Sequence, residues 1–395
     1  MNAPKLRFKE FTDPWVLYPI SEIATINPKS DELPNTFIYI DLESVESGKL
    51  LYKNIIHKDN APSRAQRLLK HKDILIQTVR PYQKNHLLYK NLEIDSVAST
   101  GYALLRTKKE IEPAFVYQLF FTDRVNFEIN KRCTGTSYPA ISSSDLSDIL
   151  LYTPKNSEQV KISSFLSALD KKIQLQQEKI DLLKQQKKGF MQKIFSQELR
   201  FKSDNGQEFP EWEQIYVKDV LRLTLREIPK PKSAYIRLGL RSHCKGTFHE
   251  LVTDVNEVSM DTLFEVHEGD FIVNITFAWE QALAVANLED HGKLVSHRFP
   301  TYRFKDTHEK SFYKYFFATK YFKYCLGNAS PGGAGRNRVL NKKDFFNIEI
   351  VVPSKSEQIK IGTFLDKLDK KITTSENLLN SLLQQKKAFM QQMFI

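Results

Sequence analysis

The chain has 395 residues, 41% of them apolar, which suffices for two or three ordinary domains with cores of their own. A net charge of +11 at neutral pH suits a polyanionic partner but does not by itself name one. Three scattered cysteines (Cys133, Cys244, Cys325) form no CxxC, the opening MNAPKLRFKEF lacks an apolar secretory core, and no uncharged apolar run reaches the ~20 residues that cross a bilayer, so a cytoplasmic protein without disulfides is expected.

In chain order, residues 1–156 read as a first globe. TFIYI (Thr36 to Ile40), DILIQTV (Asp73 to Val79) and SVASTGYALLR (Ser96 to Arg106) are β-branched and aromatic runs bounded by polar turns, which predict strands of a largely antiparallel sheet. Residues 157–195 then read as one helix. Residues 196–355 form a second globe with strand signal in DFIVNITFAW (Asp270 to Trp279) and helical signal in THEKSFYKYFF (Thr307 to Phe317). Residues 356–395 repeat the helix. The expected fold class is α+β: two mixed α/β domains separated by two long helices that form an antiparallel coiled coil.

The repeat is explicit. Ser157 to Phe195 aligns with Ser356 to Phe394 without a gap, 21 of 39 positions being identical, and the shorter LRFK recurs at Leu6 and Leu199. Ile162, Leu166, Leu169, Ile173, Gln176, Ile180, Leu183, Lys187, Phe190 and Ile194 are spaced four and three apart. Ile361, Leu365, Leu368, Ile372, Ser375, Leu379, Leu382, Lys386, Phe389 and Met393 match them in the second copy, and this 3.5-residue period marks a coiled-coil seam. Ser157 and Ser356 are candidate N-caps, with Glu158 and Glu357 set against the helix dipole. Polar residues recur at the same two seam positions, Gln176/Ser375 and Lys187/Lys386, and either fix the register or lie where the helices splay. Each helix would span roughly 58 Å. Parallel pairing would oblige the second globe to carry the chain back over that length, whereas antiparallel pairing needs no return. Phe165, Leu175, Leu182, Phe364, Leu378 and Leu383 fall off the seam; contact with their own globe accounts for Phe165 and Phe364 equally well, and a docked partner helix is the expectation for Leu182, Leu378 and Leu383.

Motifs for catalysis are missing from the sequence. It holds no GxxxxGK[ST], no GxGxxG after a strand and no N/D-P-P-Y/F tetrapeptide, and His243, Cys244 and His249 have no companion ligands at metal spacing. A reader or scaffold is expected, with neither catalytic residues nor a metal. Because the two helices carry +6 of the charge, net charge does not locate a DNA face. Local clusters in turn-rich stretches do better, since Arg and Lys suit phosphate or guanine, and Asn and Gln suit adenine. In the first globe these are Arg64 and Arg67; Arg80, Tyr82, Lys84 and Asn85; and Thr134, Thr136, Ser137 and Tyr138. In the second they are Arg237, Arg241, Lys245 and Arg298, and Arg336, Asn337 and Arg338 beside the glycine-rich PGGAG. For any one of them ordinary solvated surface charge is the competing reading.

Two unlike globes alternating with the pattern SEQxKIxxFLxxLDKKI…QQKKxFMQxxF, each copy preceded by YTPKN or VPSK, resemble the specificity subunit of type I restriction–modification enzymes over the whole chain. Gly135-Thr136-Ser137-Tyr138-Pro139-Ala140-Ile141 is similar to that family's loop before the last strand of a target recognition domain, while the second globe departs there with GGAGRNRVL. The resemblance implies two target recognition domains, each reading half of a bipartite, asymmetric DNA target. It also implies spacer helices that dock two modification subunits (Leu166, Leu169, Ile173, Ile180, Leu183, Leu365, Leu368, Ile372, Leu379 and Leu382 being the seam they share with the off-seam apolar residues). S-adenosylmethionine, ATP and Mg²⁺ would belong to modification and restriction subunits, not to this chain. The alternative is a non-enzymatic coiled-coil scaffold whose globes bind protein; it accounts for the helices but not for the basic, hydroxyl-rich loops.

Overall fold

The structure is a computed structural model that describes residues 3–90, 92–332 and 338–395. It divides into two compact units, Met1–Glu178 with Glu376–Ile395, and Lys179–Ser375. Among the described residues no helix is long and apolar enough to cross a membrane.

The first unit holds two four-stranded sheets. One runs Asn54–His57, Thr36–Ile40, Ser96–Ser99, Ala65–Leu68, and the other Ala24–Ile26, Tyr102–Thr107, Ile74–Gln77, Leu87–Leu88. All pairs are antiparallel except Ser96–Ser99 with Thr36–Ile40. The expected single run from Ser96 to Arg106 is two strands, because the chain turns at Thr100-Gly101 and passes from one sheet to the other. Period-two alternation sorts the side chains. Leu75, Tyr102 and Leu104 enter a cluster with Ile38, Ile40 and Ala98. Ile74, Ile76, Ala103 and Leu105 face the other way, onto Phe115, Leu119 and Val125 of helices Pro113–Leu119 and Asp123–Arg132.

The second unit repeats this plan. Its sheets run Leu221–Leu223, Thr301–Phe304, Phe271–Val273, Leu283–Val285, and Glu227–Pro229, Thr262–Glu265, Leu294–Val295, Tyr235–Leu240, Thr247–Val252. Again one pair, Tyr235–Leu240 with Leu294–Val295, is parallel. The run from Asp270 to Trp279 is a strand only as far as Val273, and helix Lys310–Phe316 forms as expected. The core here is dominated by rings, among them Phe271, Tyr302, Phe312, Phe317 and Phe345.

The long helices are Asn156–Phe195 and Lys355–Gln392. They start one residue earlier than predicted, so Ser157 and Ser356 lie within the first turn and are not its caps. The acids behind them do more than meet a dipole. Glu158 is buried and accepts from Arg7 Nε and Nη2, both at 2.7 Å, and from Trp15 Nε1 at 3.3 Å. Glu357, fully buried, accepts from Arg200 at 2.8 and 3.3 Å. The next residue also works identically in both units. Gln159 accepts from the Glu112 amide at 2.9 Å and donates to the Pro154 carbonyl at 2.8 Å, while Gln358 accepts from Glu309 and donates to Pro353, both at 2.8 Å. The repeated LRFK and SEQ are therefore two halves of one anchor, closed twice.

Within each unit the two helices run antiparallel. In the first, Phe165 meets Phe389 with ring centroids 4.9 Å apart and Asp170 meets Lys386 at 2.6 Å. In the second, Phe190 meets Phe364 at 5.1 Å and Asp369 meets Lys187 at 2.5 Å. Every seam position is buried or half-buried. The seam lysines thus pair with the aspartates of the two LDKKI copies, which pins the register. Burial pushes the Asp369 carboxyl up, but hydrogen bonds from Lys187 and Tyr315 outweigh it and leave it below its ordinary range. Phe165 and Phe364 make the contacts with their own units that were the open alternative to a partner. Phe165 packs on Phe8 and Phe389, and Phe364 on Phe201 and Phe190, all within their own units.

Candidate nucleic-acid interface

In the first unit three loops that are far apart in sequence meet. A cleft of about 890 Å³ is lined by Arg64, Arg80, Asn85 and Tyr138, together with Gln77, Gln83, Glu43 and Glu46. The loop after strand Ile74–Gln77 is the centre of this arrangement. Arg80 and Lys84, at φ 52° and 56°, bracket the short helical turn Pro81–Gln83. Two non-glycine residues in the left-handed region persist only where their surroundings hold them. The holding group is Gln77: its Nε2 donates to Gln83 Oε1 at 2.7 Å and to the Val79 carbonyl at 2.8 Å, and its Oε1 accepts from the Asn85 amide at 3.1 Å. Beneath it His86 is fully buried, its Nδ1 accepting from the Gln77 amide at 3.1 Å. Burial, aided by Lys84, pushes its pKa down to about 3, so the ring is neutral.

The second loop is brought in by backbone pairing. Thr134 and Ala140 exchange two hydrogen bonds of 2.9 Å, and the Arg80 amide donates to the Pro139 carbonyl at 2.7 Å. Tyr138 is thereby set beside Arg80, whose guanidinium lies 4.3 Å from the centre of its ring. Such stacking orients the planar fork without consuming its donors. Tyr138 remains 67% exposed, and Thr136 and Ser137 are exposed next to it. The third segment enters where the Thr100 amide donates to the Arg64 carbonyl at 2.9 Å. Arg67 does not line the cleft; it is half-buried, with its Nε unpartnered, and burial lowers its pKa. Tyr82 is exposed and Lys84 half-buried.

The second unit builds the same turn from different residues. After strand Phe271–Val273, Ala278–Glu280 forms the short helical turn and Gln281 takes φ 57°, as Lys84 does. Phe277, half-exposed, stands where Arg80 stands. Two sequence-predicted segments border this turn. The amides of His243 and Cys244 donate to the carbonyls of Glu280 and Gln281 at 2.7 and 2.9 Å, which brings exposed Arg241 and Lys245 alongside. The Arg298 carbonyl accepts from Ile275 at 3.0 Å, leaving its side chain exposed. Arg241 donates to the Thr247 carbonyl and lies over the Phe248 ring, and Arg237 is paired with Glu250 at 2.7 Å on the neighbouring strand. Arg338 is engaged at a helix end, donating to the carbonyls of Ser330 at 3.1 Å and Gly327 at 2.5 Å. Arg336 and Asn337 lie outside the described residues. Burial pushes the Cys244 thiol up to about 12.

Gln77, Glu43, Glu46 and Phe277 belong to none of the basic, hydroxyl-rich clusters of the sequence. Gln77 was detectable there as the lone amide in an otherwise apolar strand, but the others are brought in by folding alone.

A family model, the type I restriction modification DNA specificity domain, matches the chain twice, over residues 12–185 and 211–384. The chain belongs to that family. This specificity chain is 26% identical over 167 residues to the type I restriction enzyme HindI specificity subunit of Haemophilus influenzae (strain ATCC 51907 / DSM 11121 / KW20 / Rd). The match covers 41% of this chain and 36% of that protein, about a third of the relative's length. Two solved structures share the fold. One, from a study of complex assembly and conformational transition of the type I R-M system, has a TM-score of 0.55 at 20% identity and covers 95% of this chain and 96% of its own. The other, the type I restriction–modification system S subunit from M. genitalium, has a TM-score of 0.57 at 15% identity and covers 100% of this chain and 99% of its own.

Proposed function

We propose that each unit of this specificity subunit reads one half of a bipartite, asymmetric DNA target, and that the long helices carry two modification subunits, to which restriction subunits add. The chain itself is read as non-catalytic: S-adenosylmethionine, ATP and Mg²⁺ act in the partners. The observation that carries the reading is the convergence of Arg64, Arg80, Asn85 and Tyr138 on one cleft from three separate loops. A guanidinium fork held on a ring and amides at the rim are groups that read guanine and adenine edges, and Glu43 and Glu46 can accept from cytosine. The second unit offers Arg241, Lys245, Arg298 and Phe277 around the equivalent turn, so its half-site differs because its lining differs.

The test is a mobility-shift titration of the assembled complex on its methylated target at several salt concentrations. Arg64→Ala is expected to weaken binding and to reduce the salt slope by about 1, the signature of one lost phosphate contact. Arg80→Ala is expected to cost about 1–3 kcal/mol and to relax preference at a single base position. Unchanged affinity and preference in both variants would remove the cleft from the interface.

A further inference from the structure

We infer that Glu265, His267 and His291 form a binding site for a zinc-like divalent cation in the second unit. The site stands apart from the DNA reading and does not depend on it.

Strand geometry puts the three together. Glu265 ends strand Thr262–Glu265, and His267 lies two residues on, so the period of two points both side chains to one side. The ladder with Leu294–Val295 pairs Glu265 with Leu294. It continues past the strand end: the Val266 amide donates to the Lys293 carbonyl at 2.9 Å, and the Gly292 amide to the Val266 carbonyl at 2.8 Å. That pairing delivers His291 beside His267. The imidazole centroids are 4.7 Å apart, His267 Nε2 lies 3.0 Å from Glu265 Oε1, and the three ligand atoms all lie within 4.8 Å of one another.

These separations suit an ion. Bonds of about 2.0–2.2 Å in a tetrahedron place ligand atoms about 3.3 Å apart, so Glu265 and His267 already stand at ligand spacing and small side-chain rotations bring in His291. The backbone under His291 is fixed beforehand. Asn287 and Asp290 cap the turn Leu288–Asp290 reciprocally, and Asp290 Oδ1 is held by His249 Nε2 at 2.8 Å. Among the described residues the Glu265 carboxylate pairs with His267 and with no lysine or arginine, so a cation shared with His267 meets it without displacing a basic side chain. Two imidazoles and one carboxylate favour Zn²⁺, Co²⁺ or Ni²⁺ over Mg²⁺ and Ca²⁺, and three protein ligands leave a fourth position for water. Sequence spacing hid the site, because the histidines flank two strands that meet only in the sheet.

The experiment uses the full chain, stripped with chelator, and the metal alone as probe. Calorimetric titration with Zn²⁺, and Co²⁺ absorption in the visible range, are expected to show one saturable equivalent with tetrahedral band intensity. His267→Gln and His291→Gln should each weaken binding at least tenfold, with unchanged circular dichroism, and His297→Ala, at an exposed histidine of the same unit outside the site, should leave it intact. His291 is exposed, so its variant is informative even if the His267 variant fails to fold. Three results would overturn the assignment: no saturable equivalent, an equivalent that survives in the His291 variant, or equal loss in the His297 variant.

Discussion

Gln77 and His86 show how much a single buried polar side chain can decide. Gln77 satisfies three backbone or side-chain groups of the loop that carries Arg80 and Asn85, and His86 supports it from below with a neutral ring. The folded His86 titrates near 3, whereas an unfolded histidine titrates at its ordinary 6.5. Between those values the unfolded chain binds a proton that the folded chain refuses, so stability falls as pH falls through that window. At pH 5 the loss is about 2 kcal/mol relative to pH 7. Denaturant unfolding of the first unit at the two pH values measures it, and His86→Asn, which cannot titrate, should shrink the difference by that amount. A variant with the undiminished pH dependence would mean that another group carries it. Residue identity was legible here only as a polar residue in an apolar run; the orphaned environment of His86 comes from Phe120 and Phe121, which fold onto it at 5.8 and 5.5 Å.

At the scale of elements the two long helices were the most legible part, because their 3.5-residue period needs no tertiary information. The antiparallel sense was also accessible from connectivity. What periodicity could not show was that the seam lysines and the LDKKI aspartates are partners. A double-mutant cycle on Lys386→Ala and Asp170→Ala should return a coupling of about 0.5–1 kcal/mol, modest because both ends are partly exposed; a coupling of zero would mean that solvent already screens the pair. The off-seam apolar residues divide in two. Phe165 and Phe364 are consumed within their units, whereas Leu182 and Leu383 are 54% and 47% exposed and Leu175 and Leu378 are similarly open. Leu382 is buried, so a disruption aimed at partner docking belongs at Leu383. Leu182→Glu with Leu383→Glu is expected to leave the circular dichroism and melting temperature of the chain within error, and to abolish co-purification of modification subunits. Retained assembly would place docking elsewhere.

Across the whole molecule, the two units share one strand order, with Glu227–Pro229 added at a sheet edge of the second, although their globes differ in sequence. Each passes a strand pair through the same order, keeps a single parallel pairing, and sets a left-handed residue after the same short helical turn. One frame carries an Arg80–Tyr138 stack in one unit and Phe277 in the other, so unlike side chains stand at equivalent turns. Exchanging residues 1–156 for the corresponding segment of a relative should change one half of the methylated target and leave the other as it was, as read by sequencing methylated adenines in cells carrying the complete system. A change in both halves would count against independent reading.

The sequence by itself determined the duplication, the two helices, the seam and the residue types at the loops, since periodicity and repetition are properties of a chain in order. Only the tertiary structure decided which loops share a cleft, which cations are already spent on carbonyls or carboxylates, and that two divergent globes have one fold. Those depend on which residues come near one another across a sheet, and many strand sequences satisfy the same backbone pairing, so the pairing leaves little trace in any one of them.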